Sequence, residues 1–259
     1  MAIDMTVAMI GATVEIDQPQ GAGQYEYATG FLVSDPAPDG TPRTVLVTAA
    51  HVFDKMPGAE VRLGYRFQDA QGNWTLSRQP LVVRDGPRPL WVRDPVQDVA
   101  AMVIKAPPEF AQAAIPLAWL ADETTFDKAG VRPGDEMTVL GFPQGLSAND
   151  AGFPILRIGR VASYPLTPVL RYQSFVIDFR YAPGNSGGPV FVAWDGRGRP
   201  GSPDPTTAFV AGLLISQVNQ VELGIVVHAI YIRHTLAQLD QPGAPAPAGA
   251  YATAPAPVP

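Results

Sequence analysis

Short apolar or alternating runs, each closed by Gly, Pro, Asp or Asn, recur along almost the whole chain, and this punctuation limits the fold more than any other feature. The runs include Met5–Ile16, Tyr27–Val33, Thr44–Thr48, Glu60–Phe67, Val99–Ile104, Glu136–Leu140, Ile155–Ala162, Ser174–Phe179, Pro189–Trp194, Phe209–Ser216 and Gly224–Val227. Runs of this length, rich in Val, Ile, Leu and Tyr and separated by turn residues, are strand signals. Few helical stretches lie between them, so the pattern predicts an all-β sandwich or barrel and not βαβ units. Two pieces read as helix: a short turn at Ala49–Lys55, directly after a strand, and Ala229–Leu239, where Ile230, Ile232, Leu236 and Leu239 fall near helical spacing.

The segment Lys105–Gly134 carries Pro107, Pro108 and Pro116 followed by a polar stretch, and reads as the crossover between two β halves. Gly196–Thr207 is a long polar loop between strands. From Gln241 to Pro259 the composition turns to Ala and Pro almost throughout, too little apolar surface to fold, and predicts a disordered or polyproline-like tail.

Composition removes several function classes. The net charge is −6 and the basic residues are scattered singly, so no phosphate-binding patch for nucleic acid is present. Cysteine is absent, which excludes disulfides, thiolate zinc sites and a cysteine nucleophile. Acids and histidines do not cluster at metal-ligand spacing, so no metal and no organic cofactor is expected. No apolar window reaches membrane-spanning length, and Met1 to Ile10 lacks Lys, Arg and a long apolar core. The expectation from the chain as written is a cytoplasmic protein, or a periplasmic or secreted one if a leader has been removed.

The most informative hexapeptide is Gly184-Asn185-Ser186-Gly187-Gly188-Pro189. A serine hydroxyl needs a base to become a nucleophile, and the oxyanion that follows needs fixed donors. Glycines beside a serine let successive N–H groups converge, so Gly184, Asn185 and Ser186 are the candidate donors. Taken alone, the same hexapeptide suits a tight hairpin turn equally well. His51, one of three histidines, ends the apolar run Val45-Leu-Val-Thr-Ala-Ala, a rigid strand end where a catalytic imidazole belongs, although a lone histidine there is more often a half-buried residue capping the core. His228 is left open and His234 reads as a surface residue. Asp98 immediately precedes the apolar run Val99–Ile104, where an acid can fix an imidazole tautomer or simply close a turn, as Asp85 and Asp94 do. What singles out His51, Asp98 and Ser186 is their joint order, each at a strand edge.

Together these motifs resemble the trypsin-like serine proteases, most closely the bacterial high-temperature-requirement (Deg-type) branch. The resemblance runs from about Val7 to Leu239. It rests on Thr29-Gly-Phe-Leu-Val33, Thr48-Ala-Ala-His51, Asp98-Val-Ala, Gly141-Phe-Pro-Gln-Gly145, Gly159-Arg-Val-Ala-Ser163, Asp178 with Pro183–Pro189, and Gly224-Ile-Val-Val before a helix. The resemblance implies two six-stranded antiparallel β-barrels with a C-terminal helix: residues 1–118 carrying His51 and Asp98, 119–240 carrying Ser186, then the tail 241–259. It implies a peptide or protein substrate, with His51 as general base, Asp98 orienting it, Ser186 forming an acyl-enzyme, and backbone donors at Gly184 and Ser186. It places Arg180, Tyr181, Leu214, Ile215 and Val226 near the pocket for the residue preceding the cleaved bond (P1). Apolar lining would favour an aliphatic P1 residue, whereas an inward Arg180 would favour an acidic one.

There are departures from the family pattern. No PDZ-type domain is expected after the protease, Met1 is expected to lead directly into the first strand, and Ile215 stands where the family often has Ser or Thr beside the triad aspartate. Two other readings compete. Gly184–Gly188 satisfies the G-x-S-x-G frame of an α/β-hydrolase esterase, although there the acid and histidine follow the serine. The other is a catalytically silent pseudoprotease acting as a binding module.

Overall fold

In the computed structural model, which describes residues 4–193, 207–217 and 222–247, the predicted runs pair into two β units. The first contains β1 (Thr13–Gly21), β2 (Gln24–Ser34), β3 (Thr44–Thr48), β4 (Glu60–Gln68), β5 (Trp74–Val82), β8 (Val92–Arg93), β9 (Ala100–Ile104) and β10 (Ile115–Pro116), with a separate ribbon of β6 (Arg84–Asp85) and β7 (Arg88–Pro89). The second contains β11 (Glu136–Gly141), β12 (Ile155–Val161), β13 (Ser174–Asp178), β14 (Pro189–Ala193), β15 (Ala208–Gln217) and β16 (Leu223–His228). Its strands close into a barrel in the order β11-β12-β13-β16-β15-β14.

The C-terminal unit is therefore the expected six-stranded barrel. The N-terminal unit differs from the expected six antiparallel strands: it is an eight-stranded sheet in the order β5-β4-β1-β2-β3-β9-β8, with β10 parallel to β2. The additional members β8 and β10 are two residues long, too short to leave an apolar run in the sequence.

The expected strand Met5–Ile16 is also corrected. Its first part is α1 (Met5–Ala12), and only Thr13 onward is strand. The cause is local: the Asp4 carboxylate accepts the N–H groups of Thr6 and Val7, satisfying orphan donors of a helix start. Arg66 then holds the other end, donating to the carbonyls of Ile10, Gly11 and Thr13. Burial pushes its guanidinium down to about 10. The crossover contains α3 (Pro108–Ala113), β10 and α4 (Thr125–Ala129). The short turn appears as α2 (Ala50–Lys55), and the terminal helix as α5 (Ala229–Ala237) followed by one 3₁₀ turn. The polar loop Gly196–Thr207, except Thr207, and the tail beyond residue 247 lie outside the described residues. No helix among the described residues is long and apolar enough to cross a membrane.

The buried core side chains include Phe31, Leu46 and Val47 in the first unit and Leu140, Phe175 and Phe191 in the second, all at most 1% exposed. Ladder pairing matters most where β3 ends. Thr48 pairs with Ala100, so the segment leaving β3 towards His51 runs beside the segment entering β9 from Asp98.

Candidate active site

His51 lies in the first turn of α2, whose N-cap residue, Ala49, has no side chain to accept a helix N–H. Asp98 supplies that acceptor from the bend that leads into β9. Its Oδ1 takes the His51 backbone N–H at 2.8 Å, and its Oδ2 lies 2.5 Å from the ring nitrogen Nδ1. One carboxylate thus fixes both the backbone and the ring of His51. Burial opposes the ionised carboxyl, but the bonds and charge of His51, with Arg93 beyond, outweigh it and hold Asp98 below the usual carboxylate range. The other ring nitrogen, Nε2, is 3.0 Å from Ser186 Oγ, which brings the three sequence-selected residues into one chain of contacts.

Ser186 sits between β13 and β14, on a loop whose shape depends on two glycines. Gly184 and Gly187 have φ of +96° and +86°, in the left-handed region that disfavours side chains. A Cβ at Gly184 would collide with the Phe142 carbonyl, and one at Gly187 with the Thr29 carbonyl. The Asn185 amide donates to Ala182 O at 3.1 Å, so Asn185 drops out of the expected donor set. The N–H groups of Gly184 and Ser186 have no hydrogen-bond partner among the described residues.

Thr29 pins this loop, a role the sequence reading missed. Its N–H donates to Ser186 O at 2.9 Å, its hydroxyl donates to Gly184 O at 2.7 Å, and the same hydroxyl accepts the Phe142 N–H at 3.0 Å. Thr48 donates back to Thr29 O. The Gly141–Gly145 turn adds a bond from Gln144 N to Pro183 O. The available signal was a polar residue inside the otherwise apolar run Tyr27–Val33.

The expected P1-pocket residues divide. Leu214 and Val226 are fully buried in the barrel core, paired across β15 and β16. Arg180 turns outward, 73% exposed, and pairs with Glu222 at 3.1 Å. Ile215 lies at a register shift between Leu214 and Ser216, and its carbonyl accepts the Ser186 hydroxyl at 3.1 Å. Tyr181 does reach the site, with its hydroxyl 2.7 Å from Ser186 Oγ. An open groove of about 520 Å³ lies beside His51, bordered by Arg93, Pro95, Val96 and Gln97.

A family model described as the trypsin-like peptidase domain matches residues 28–197, a span that contains all three residues. The chain belongs to that family. No curated protein matches it in sequence. Among solved structures, it is similar to GrC at 15% identity, covering 89% of this chain and 96% of that one with a TM-score of 0.53. It is similar also to AL20, a thermostable serine protease from an extremophilic microorganism, at 11% identity over 90% and 98% of the two chains, TM-score 0.52. The active form of the Rv3671c protease from M. tuberculosis aligns at 20% identity over 94% and 86%, TM-score 0.48. The GrC and AL20 likenesses bear on the fold alone. The trypsin-like frame sets aside the α/β-hydrolase reading, since Ser186 is followed by β14 instead of a helix.

Proposed function

We propose that this trypsin-like peptidase is a serine endopeptidase acting through His51, Asp98 and Ser186. The observation that carries this reading is the contact chain from Asp98 Oδ2 to His51 Nδ1 at 2.5 Å and from His51 Nε2 to Ser186 Oγ at 3.0 Å. The ionised Asp98 keeps the imidazole proton on Nδ1, which leaves Nε2 free to accept the serine proton. Ser186 Oγ attacks the peptide carbonyl carbon as that proton passes to Nε2, and the N–H groups of Gly184 and Ser186 bind the oxyanion. The imidazolium returns the proton to the departing amine, and water then hydrolyses the acyl-enzyme with the roles repeated.

A fluorophosphonate probe tests the assignment. Wild type should label at Ser186 and Ser186→Ala should not; an unlabelled wild type at neutral pH would favour the silent pseudoprotease. The outward Arg180 supports an uncharged P1 residue over an acidic one. Digestion of a P1-varied peptide library checks this, and dominant cleavage after Asp or Glu would overturn it.

A further inference from the structure

The proposed reaction gives Tyr181 no task, yet its hydroxyl lies closer to Ser186 Oγ, at 2.7 Å, than His51 Nε2 does, at 3.0 Å. We propose that Tyr181 is a cap on the nucleophile: in the free enzyme its phenol holds Ser186 Oγ and occupies the approach of the acyl group, so substrate reacts only after the ring swings away. This inference rests on the reading of Ser186 as the nucleophile.

Counting protons at Oγ supplies the first argument. A serine hydroxyl has one proton to give and two lone pairs to receive. Among the described residues, Oγ has three hydrogen-bonding neighbours: His51 Nε2, Ile215 O and Tyr181 Oη. Ile215 O can only accept, and Nε2 accepts while Asp98 holds the imidazole proton on Nδ1. These two compete for the single serine proton. Tyr181 is the neighbour able to donate into Oγ, and its O–H covers a lone pair that attack on a carbonyl carbon would use. Burial raises the phenol above its ordinary value despite the Ser186 bond, so it remains a protonated donor at neutral pH.

Space supplies the second argument. The pocket that Tyr181 and Ser186 line together, with Tyr27, His51, Met56 and Gly184, has a volume of about 20 Å³. That is about the room one water molecule needs. A peptide does not enter it as it stands. Tyr181 lies on the segment between β13 and β14, outside both strands, and packs only partly buried against the edge of the core, so a swing of its ring gives up that contact but no ladder bond. When the ring leaves, the serine proton goes to Nε2 as the Oγ–C bond forms. Tyr181 itself exchanges neither proton nor electrons.

The test follows acylation of Ser186 in wild type, Tyr181→Phe, Tyr181→Ala and Ser186→Ala, using diisopropyl fluorophosphate and a bulkier peptidyl phosphonate. Tyr181→Phe keeps the ring and removes the bond, so the small reagent should react about fivefold faster, the scale of one net hydrogen bond. Tyr181→Ala also opens the cavity and should accelerate the peptidyl reagent more than the small one. The melting temperature of Tyr181→Phe should match wild type, which separates a cap from a packing role. Labelling of Tyr181→Phe at the wild-type rate or slower would overturn the cap and leave the nucleophile assignment standing. Failure of Ser186 to label in every variant would remove the nucleophile and the cap together.

Discussion

Asp98 carries two contacts through one carboxylate, and they separate on substitution. Asp98→Asn keeps an oxygen for the His51 backbone N–H but presents N–H to the ring where an acceptor stood. The imidazole must then take the other tautomer, with Nε2 protonated and unable to accept from Ser186. The expected result is a kcat lower by roughly 10⁴-fold with little change in melting temperature, since the backbone contact survives. Loss of stability with kcat preserved would assign Asp98 to capping α2 alone. Asp98 is also held below the usual carboxylate range, so it stays ionised as pH falls through the range where imidazoles protonate. The acid limb of log kcat/KM should therefore show uptake of one proton, with a slope of about one, because only an unprotonated ring can accept from serine. A slope near two in a pH titration would mean that Asp98 titrates there too. That His51, Asp98 and Ser186 come together was legible because their neighbours form recognisable motifs at strand ends. Asn185, Leu214 and Val226 were not, because the use of an amide in a turn and the facing of a residue beside a bulge depend on register.

At the scale of elements, the two β units meet where Thr29 of β2 holds the Ser186 loop. Thr29→Val preserves shape and removes the hydroxyl, stranding the Gly184 carbonyl and the Phe142 N–H in a buried place. Each stranded group costs about 1–3 kcal/mol, so the fold should lose roughly 2–4 kcal/mol after partial relaxation. The loop that presents the Gly184 and Ser186 amides would loosen as well. Denaturant unfolding and acylation rate should therefore fall together in this variant. Unchanged acylation in a destabilised protein would show that the loop is set by its glycines and the Gln144 bond instead. Strands long enough to bury alternate side chains announced themselves in the sequence. The misjudged element, α1, is apolar on most sides, so its composition suits a strand equally, and Asp4 and Arg66 decide the matter through backbone groups. The two-residue strands β8 and β10 exist because neighbouring strands offer free edges, a property of the assembled sheet and not of either dipeptide.

For the molecule as a whole, acid stability turns on His228, the histidine whose place the sequence left open. It lies at the end of β16, 1% exposed, with its ring 4.6 Å from that of Phe126 and 4.9 Å from that of Phe175. Burial disfavours the imidazolium there and pushes the residue down to about 4, with partial compensation from the Tyr172 backbone. An unfolded chain restores the ordinary value near 6.5. The unfolded state thus binds the extra proton first, and stability present above about pH 6.5 is lost as pH falls towards about 4. A depression of that size corresponds to about 3 kcal/mol, a large share of a typical domain's margin. Denaturant titrations from pH 7 to 4 should show the unfolding free energy falling through this window, before most carboxylates titrate. His228→Phe, aromatic but not titratable, should flatten that decline even if its stability at pH 7 is altered by the larger ring. A decline of equal steepness in His228→Phe would move the acid sensitivity elsewhere in the fold. Ring NMR distinguishes the residue directly: with three histidines in the chain, one should remain neutral to well below pH 6.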